Sequence, residues 1–237
     1  YLMNLINTIK FSNKIRLHAL KMTSKAGTSH IGSMLSIADI IAVLFNDILQ
    51  SKPFKKDKIK KTKDHFILSK GHAGGIVYAA LAEKGFFSLK KLETYCKNGS
   101  TLSGHISHYQ VPGVDFSSGS LGHGLSVSCG LALSDKNKKI FNLMSDGELD
   151  EGSNWEAILF ASHHKLSNLV NIVDYNKIQS IKSIKDTLNL EPLKKKFISF
   201  GWKVLEIDGH NHKKLFSALK NKSFNKPLCI ICHTIKG

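Results

Sequence analysis

The sequence has 237 residues, of which 42% are hydrophobic and 22% charged, a composition typical of globular proteins that bury a core without disulfide bonds. Its longest apolar stretch, residues 35–45, is interrupted by Asp39 and is too short to span a membrane. The formal net charge of +16 comes mostly from scattered lysines, and the lack of aromatic residues between them argues against nucleic-acid binding.

The N-terminus favours an intracellular protein, and the cysteines favour free thiols over a zinc site. Residues 1–10 lack a compact apolar run followed by a small-residue cleavage site, so we expect a cytoplasmic chain without a membrane partner. Cys229 and Cys232 have the spacing of zinc ligands, but they lie in a strand-like run. Because residues three apart on a strand point to opposite faces, we expect free buried thiols there instead of a zinc site.

The first half of the chain is predicted to be mainly helical. Apolar residues recur with helical spacing over residues 3–25, and Ser36 with Asp39 has the pattern of a capping box that opens a helix running to about residue 49. Further on, the patterns predict a short strand over 66–68, a helix over 73–84 and, after a long glycine-containing loop, a helix over 124–133.

The second half alternates strands with helices. Strands are predicted over 139–144, 169–173, 202–207 and 228–233, and helices over 155–164, 192–200 and 212–220. This alternation predicts βαβ units, and therefore an α/β fold with a mostly parallel sheet and helices on both faces. Because ligands bind at the carboxyl ends of such strands, the loops that follow strands are the places to look for a site.

Two of these loops carry hard oxygen ligands. Asp146 and Gly147 follow one strand and Asn176 follows the next, and one complete β-α-β step separates Asp146 from Asn176. That step returns the chain to the same edge of a parallel sheet, where a carboxylate, an amide oxygen and a backbone carbonyl suit Mg²⁺ bound to phosphate oxygens. The alternative is that the two loops are unrelated and that Asp146 simply caps its helix.

The paired loops resemble the thiamine diphosphate motif, in which Gly-Asp-Gly is followed some thirty residues later by Asn. The surrounding residues 151–157, 161–166 and 174–178 resemble transketolase in particular. The resemblance implies thiamine diphosphate as cofactor and a diphosphate-binding (PP-type) domain. It also implies that Mg²⁺, or Ca²⁺ or Mn²⁺ in its place, is bound by the side chains of Asp146 and Asn176 and the Ile178 carbonyl. Ser145 and Tyr175 depart from the motif, but neither is one of these ligands.

Three histidines lie in glycine-containing loops that also resemble transketolase. The resemblance implies that His72 contacts the cofactor diphosphate, that His105 holds the hydroxyl groups of the donor ketose, and that His30 lies beside it near the reacting carbonyl. Imidazole suits proton transfer to and from sugar hydroxyls near neutral pH. We expect His210 and His212, by contrast, to be loop and surface residues.

A glycine-rich loop before the predicted helix 124–133 resembles a further transketolase motif, with Ser120 and His123 substituted. The resemblance implies that Gly119 and Leu121 line the cofactor, together with Gly147 of the aspartate loop. It also gives Glu151 a catalytic part, as a hydrogen-bond partner of the glutamate that activates the cofactor from a separate pyrimidine-binding domain.

The resemblance extends from about residue 14 to the last residue but covers only the first domain of the family. We therefore expect residues 1–237 to form one diphosphate-binding domain with an N-terminal helical extension, and the pyrimidine-binding domain to reside on a second chain. The implied activity is transfer of a two-carbon ketol unit between ketose and aldose phosphates, as in the pentose phosphate pathway. The implied assembly is a heterotetramer with two C-terminal transketolase subunits.

Two other functions remain open at this point. The chain could be a subunit of another split thiamine diphosphate enzyme, such as a 2-oxo-acid dehydrogenase or a deoxyxylulose-phosphate synthase-like protein. It could also be a non-catalytic paralogue or a basic binding module. The loops around His30, His72 and His105 favour transketolase over both.

Overall fold

A computed structural model describes residues 4–49, 64–180, 182–221, 223 and 225–237. Within these residues, five strands form one sheet in the order β1-β2-β3-β5-β4, and every neighbouring pair is parallel. The strands are β1 (His65–Leu68), β2 (Ile140–Ser145), β3 (Leu169–Tyr175), β4 (Lys203–Asp208) and β5 (Leu228–His233). The predicted parallel α/β sheet is therefore confirmed.

Helices cover both faces of this sheet. In the described part of the chain they are α1 (Leu5–Ala26), α2 (Ile31–Ser36), α3 (Ala38–Val43), α4 (Gly74–Glu83), α5 (Gly124–Ser134), α6 (Gly152–His163), α7 (Ile184–Thr187), α8 (Leu193–Ser199) and α9 (His212–Lys220). Of the helices that the structure describes, none is both long enough and apolar enough to cross a membrane.

The side chains of each strand alternate between two apolar cores, because successive residues of a strand point to opposite faces. On β5, Ile230 and Cys232 pack into the core covered by α1–α4 and α9, whereas Cys229 and Ile231 pack into the core covered by α5, α6 and α8. The two thiols therefore lie on opposite faces of the sheet, as predicted. Among the described residues, no cluster of three or more His, Cys, Asp or Glu side chains is arranged to bind a metal ion.

Helix α1 confirms the predicted N-terminal helix, and a capping residue defines each of its ends. The Asn4 side chain accepts a hydrogen bond from the Asn7 amide at 3.2 Å, and Gly27 ends the helix in a left-handed conformation with φ of 64°. Glycine is the residue that adopts this conformation without a steric penalty. The helix then packs against α3 and α4.

The predicted capping box at Ser36 is wrong. Helix α2 begins at Ile31, and Ser36 is its last residue, so its hydroxyl cannot cap the start of a helix. That hydroxyl instead donates to the Asp174 carboxylate at 2.7 Å, and Asp39 forms a bidentate ion pair with Arg16 of α1. The capping-box pattern was misleading because the Ser36 and Asp39 side chains instead contact residues that lie far from them in the sequence.

Candidate active site

A cavity of about 500 Å³ opens at the carboxyl ends of β1, β2 and β3. Its walls come from the loops that follow these strands, from the start of α2, from the glycine loop before α5 and from the segment after β5. The lining residues are Ser29, His30, Gly32, Ser33, Lys70, His72, His105, Gly119, Leu121, Ser145, Asp146, Gly147, Asn176, Ile178, Gln179, Ser180 and Lys236. All of the site residues predicted from the sequence lie here except Glu151.

The two loops predicted to share a cation lie side by side. The ends of β2 and β3 are paired in the sheet, and the Asp146 amide donates to the Asp174 carbonyl at 3.2 Å. One carboxylate oxygen of Asp146 accepts the Lys177 amide at 2.6 Å, and the other accepts the Gly147 amide at 2.8 Å. Asp146 and Asn176 are therefore brought to the same edge of the sheet, and both line the cavity.

The oxygens of these loops have the properties of a cation site. Asp146 is only 1% exposed, and burial raises the pKa of its carboxyl to about 6, with the nearby Asp174 carboxylate adding to the effect. A divalent cation would offset this cost. The Ile178 carbonyl already accepts a hydrogen bond from a positive group, the Lys236 ammonium, at 3.0 Å. The donor set thus fits a hard cation such as Mg²⁺.

Three imidazole rings form a cluster in the same cavity. The ring centre of His30 lies 5.6 Å from that of His72 and 5.3 Å from that of His105. Burial, and then the charge of Lys70, lower the pKa of His72 to about 3, while burial and the neighbouring His105 lower the pKa of His30. His30 and His72 are therefore neutral near neutral pH, and each can both accept and donate a proton.

A buried glutamate that we did not single out from the sequence connects the glycine loop to the aspartate loop. Glu148 is fully buried and accepts hydrogen bonds from the Ser69 hydroxyl, from the Gly122 amide at 2.9 Å and from the Ser145 amide at 3.3 Å. Gly122 has φ of 88°, which side chains disfavour, and a Cβ there would lie 2.8 Å from Cβ of Glu151. Glu148 thus fixes the loop that carries Gly119 and Leu121.

Glu151 lies outside the cavity, unlike the other residues predicted for the site. It is exposed and precedes the first residue of α6, where its side chain lies close to the backbone of Gly122. The resemblance to transketolase implies that it contacts a glutamate of another chain, and an exposed carboxylate beside the glycine loop is accessible to such a chain. Its position is therefore compatible with that assignment and does not test it.

The prediction that His212 is a surface residue is wrong, whereas His210 lies in the loop before α9, as predicted. His212 is only 6% exposed, and both His210 and His212 bind the carboxylate of Asp39, at 2.8 Å and 3.0 Å. Sequence reasoning also missed Lys70 and Lys236, which line the cavity. Their signal was their place in the loops directly after β1 and β5, where ligands of a parallel sheet bind.

Comparison with known proteins identifies the family of this chain. Residues 8–237 match the family described as transketolase, thiamine diphosphate binding domain. The chain is 38% identical to the 6-deoxy-6-sulfo-D-fructose transketolase subunit SqwG of Clostridium sp. (strain MSTE9), with 95% of this chain and 84% of that protein aligned. It is 41% identical to a subunit of the apulose-4-phosphate transketolase of Actinobacillus succinogenes, over 94% of this chain and 81% of that protein.

The structure is also similar to full-length transketolase. The transketolase of Campylobacter jejuni superimposes with a TM-score of 0.88 at 30% identity, over 98% of this chain but only 38% of that one. The chain thus spans less than two fifths of this solved transketolase but most of the relatives named as subunits. From the matched family, the relatives and the fold together, the chain belongs to the transketolase N-terminal, thiamine diphosphate-binding family.

Proposed function

We propose that this chain supplies the diphosphate-binding half of a split transketolase, which transfers a two-carbon ketol unit between ketose and aldose phosphates. The observation that carries the proposal is the meeting of the Asp146 and Asn176 loops with the histidine cluster in one cavity. A binding module without catalytic function would have no need for neutral imidazoles in a cavity shared with a buried acidic loop.

In the proposed site, Mg²⁺ is held by the side chains of Asp146 and Asn176 and by the Ile178 carbonyl. Ca²⁺ or Mn²⁺, which also accept oxygen ligands, could replace it. His72 and the backbone at Gly119, Leu121 and Gly147, which line the same cavity, would hold the cofactor diphosphate. When bound, thiamine diphosphate supplies the carbon nucleophile that cleaves and forms the carbon–carbon bond.

The other two histidines of the cluster, His30 and His105, bind the sugar. The His30 and His105 rings are neighbours in the cavity, so a ketose that enters it meets two imidazoles at once. A neutral His30 can take a proton from one hydroxyl group of the substrate and return it to the product. His105 orients the neighbouring hydroxyls. The proton transfer requires the neutral ring that burial favours at His30.

We further propose that the active form contains a second, pyrimidine-binding chain, in a cytoplasmic heterotetramer with two copies of each. The exposed Glu151 carboxylate beside the glycine loop is available to a glutamate of that partner. The two subunit relatives act, by their names, on 6-deoxy-6-sulfo-D-fructose and on apulose 4-phosphate. We therefore expect anionic ketoses as substrates of this chain as well, with pentose phosphates among them.

A reconstitution assay tests this function. The purified chain is mixed with Mg²⁺, thiamine diphosphate and a pyrimidine-domain chain from the same genome, and ketol transfer from xylulose 5-phosphate to an aldose phosphate is followed. We expect transfer with the partner, and none from either chain alone or from Asp146→Asn with the partner. Transfer by the chain alone would refute the partner dependence, and turnover of pyruvate in its place would favour another thiamine diphosphate enzyme.

A further inference from the structure

We propose that His210 is a positioning residue, which fixes the segment 234–236 after β5 and, through Lys236, the cation-binding loop at Ile178. The consequence for cofactor binding rests on the proposed function, whereas the placement of the segment does not. His210 itself does not line the cavity. Its effect would be transmitted through the backbone of Ile235.

The anchor for His210 is the buried carboxylate of Asp39. Arg16 binds both oxygens of Asp39, at 2.9 Å and 2.6 Å, and His210 and His212 each bind one of them. Although burial works against it, hydrogen bonds from His210, His212 and Arg16 hold the pKa of Asp39 well below its usual range. Asp39 is therefore a permanent anion, placed by α1, α3 and α9 together.

The two ring nitrogens of His210 have different partners. Nδ1 donates to Asp39 at 2.8 Å, and Nε2 accepts the Ile235 amide at 2.9 Å. This arrangement requires the neutral ring with its proton on Nδ1, because only an unprotonated Nε2 can accept. His210 thus connects a fixed anion to the backbone of the terminal segment.

The segment 234–236 is held by hydrogen bonds at each of its three residues. The Thr234 hydroxyl donates to Asp174, the Ile235 amide to His210, and the Lys236 ammonium to the carbonyls of Ile178 and Gln179 at 3.0 Å and 2.8 Å. The Ile235 side chain is 74% exposed, so apolar packing contributes little to its placement. The His210 contact therefore anchors the backbone directly before Lys236.

Lys236 in turn holds the loop that carries the proposed cation ligands. Its ammonium bridges two successive carbonyls, one of which belongs to the ligand residue Ile178. If the Ile235 amide loses its acceptor, the backbone at Lys236 gains freedom and the bridge weakens. Residues that orient ligands in this way typically change metal affinity by about 10- to 100-fold when they are replaced.

Amide hydrogen exchange on the free chain tests the placement. His210→Leu is compared with His212→Leu, since each variant removes one donor to Asp39 but only the first removes the acceptor of Ile235. At pH 8 we expect exchange of the Ile235 amide to quicken about fivefold or more in His210→Leu alone, because only this variant lacks the acceptor of that amide. Equal exchange in both variants, or no change in either, would overturn the assignment.

His212 is buried, so its replacement by leucine could disturb the fold. His212→Gln, which keeps a donor for Asp39, serves as the second control, and the far-ultraviolet circular dichroism of every variant is matched to the original chain. His210→Gln extends the test because a glutamine amide offers both a donor and an acceptor. We expect it to restore part of the Ile235 protection, and a glutamine variant as unprotected as leucine would contradict a hydrogen-bonding role.

A double-mutant cycle tests the connection to the cofactor. Affinity for Mg²⁺ and thiamine diphosphate is measured by calorimetry, with the partner chain present, for His210→Leu, Lys236→Met and the double variant. We expect each single change to weaken binding at least about tenfold and the double variant to lose little more, because both act through one bridge. Fully additive losses would overturn the connection. Failure of the unaltered chain to bind would instead contradict the proposed function and leave the exchange result standing.

Discussion

The ammonium of Lys70 lies 2.5 Å from the Asp174 carboxylate, and neither side chain is exposed to solvent. The same carboxylate oxygen accepts hydrogen bonds from the Ser36 hydroxyl at 2.7 Å and from the side-chain amide of Asn176 at 3.0 Å. Although burial alone would raise the pKa of Asp174, the charge of Lys70 holds it below its usual range. This ion pair joins the loop after β1 to the end of β3, next to the proposed cation ligand Asn176.

We expect Asp174→Asn to reduce the free energy of unfolding by about 3–5 kcal/mol, because it leaves the Lys70 ammonium buried without its counter-charge. Urea unfolding followed by fluorescence measures the loss. The control is Asp174→Asn combined with Lys70→Met, which removes both charges and should be less destabilised than Asp174→Asn alone. A double variant less stable than Asp174→Asn alone would contradict this cause, because removal of the unpaired ammonium would then bring no relief.

Glu148 offers a test of the contact between the glycine loop and the aspartate loop. Its two oxygens accept hydrogen bonds from the Gly122 and Ser145 amides. In Glu148→Gln an NH2 group replaces one of these oxygens, so a donor faces a donor. We expect a loss of about 1–3 kcal/mol in the free energy of unfolding. Glu156→Gln on the exposed face of α6 is the matched control and should change stability by less than about 0.5 kcal/mol. Equal effects of the two changes would contradict the proposed contact of Glu148 between the glycine loop and the aspartate loop.

Asp146 should decide whether a divalent cation binds. Asp146→Asn keeps the size of the side chain and one oxygen for hydrogen bonding but removes the charge that the cation needs. We expect Mn²⁺ affinity, measured by electron paramagnetic resonance with thiamine diphosphate and the partner chain present, to fall by more than about 100-fold, beyond the usual loss for residues that only orient ligands.

The matched control for this change is Asp135→Asn, which replaces an aspartate at the C-terminal end of α5, before β2 begins. It should leave Mn²⁺ affinity unchanged, because Asp135 does not line the cavity. Mn²⁺ binding that survives in Asp146→Asn would place the cation elsewhere.

His72 should make the stability of the metal-free chain depend on pH. Burial and the charge of Lys70 lower the pKa of His72 from 6.5 to about 3, so the unfolded chain takes up a proton in this window that the folded chain does not. The Asp146 carboxyl, whose pKa is raised to about 6, acts in the opposite direction, but the contribution of His72 to the free energy of unfolding should fall as the pH falls from about 6.5 towards 3. Burial lowers the pKa of His30 as well and acts in the same direction.

Urea unfolding at pH 7 and at pH 5 measures this dependence. Both pH values lie above the range in which Asp39 takes up a proton in the unfolded chain, so Asp39 does not contribute to the difference. In His72→Gln the stability at pH 5 relative to that at pH 7 should be higher than in the original chain, because the variant lacks the contribution of His72 while that of Asp146 is unchanged. His164→Gln, at an exposed position on the other side of the sheet, should keep the original slope. If the slope is unchanged in His72→Gln, the His72 ring of the original chain must be protonated in the folded state.

The secondary structure and most of the proposed site could be predicted from local sequence patterns. Strand β5 was predicted with its observed bounds, since a run of apolar residues identifies a buried strand without knowledge of its neighbours. Asp146 and Asn176 were predicted to meet because a β-α-β step has one geometry in a parallel sheet. His30, His72 and His105 were assigned to the site because their glycine-containing loops resemble those of transketolase.

The tertiary structure decided the contacts whose partners lie far apart in the chain. Lys70 and Asp174 are separated by 104 positions, and Asp39 and His212 by 173. No local pattern distinguishes such residues from surface charges, and the capping-box pattern at Ser36 even pointed to a different partner. Their pairing follows from the strand order, in which β5 lies between β3 and β4, and from the need to neutralise every charge that folding removes from water.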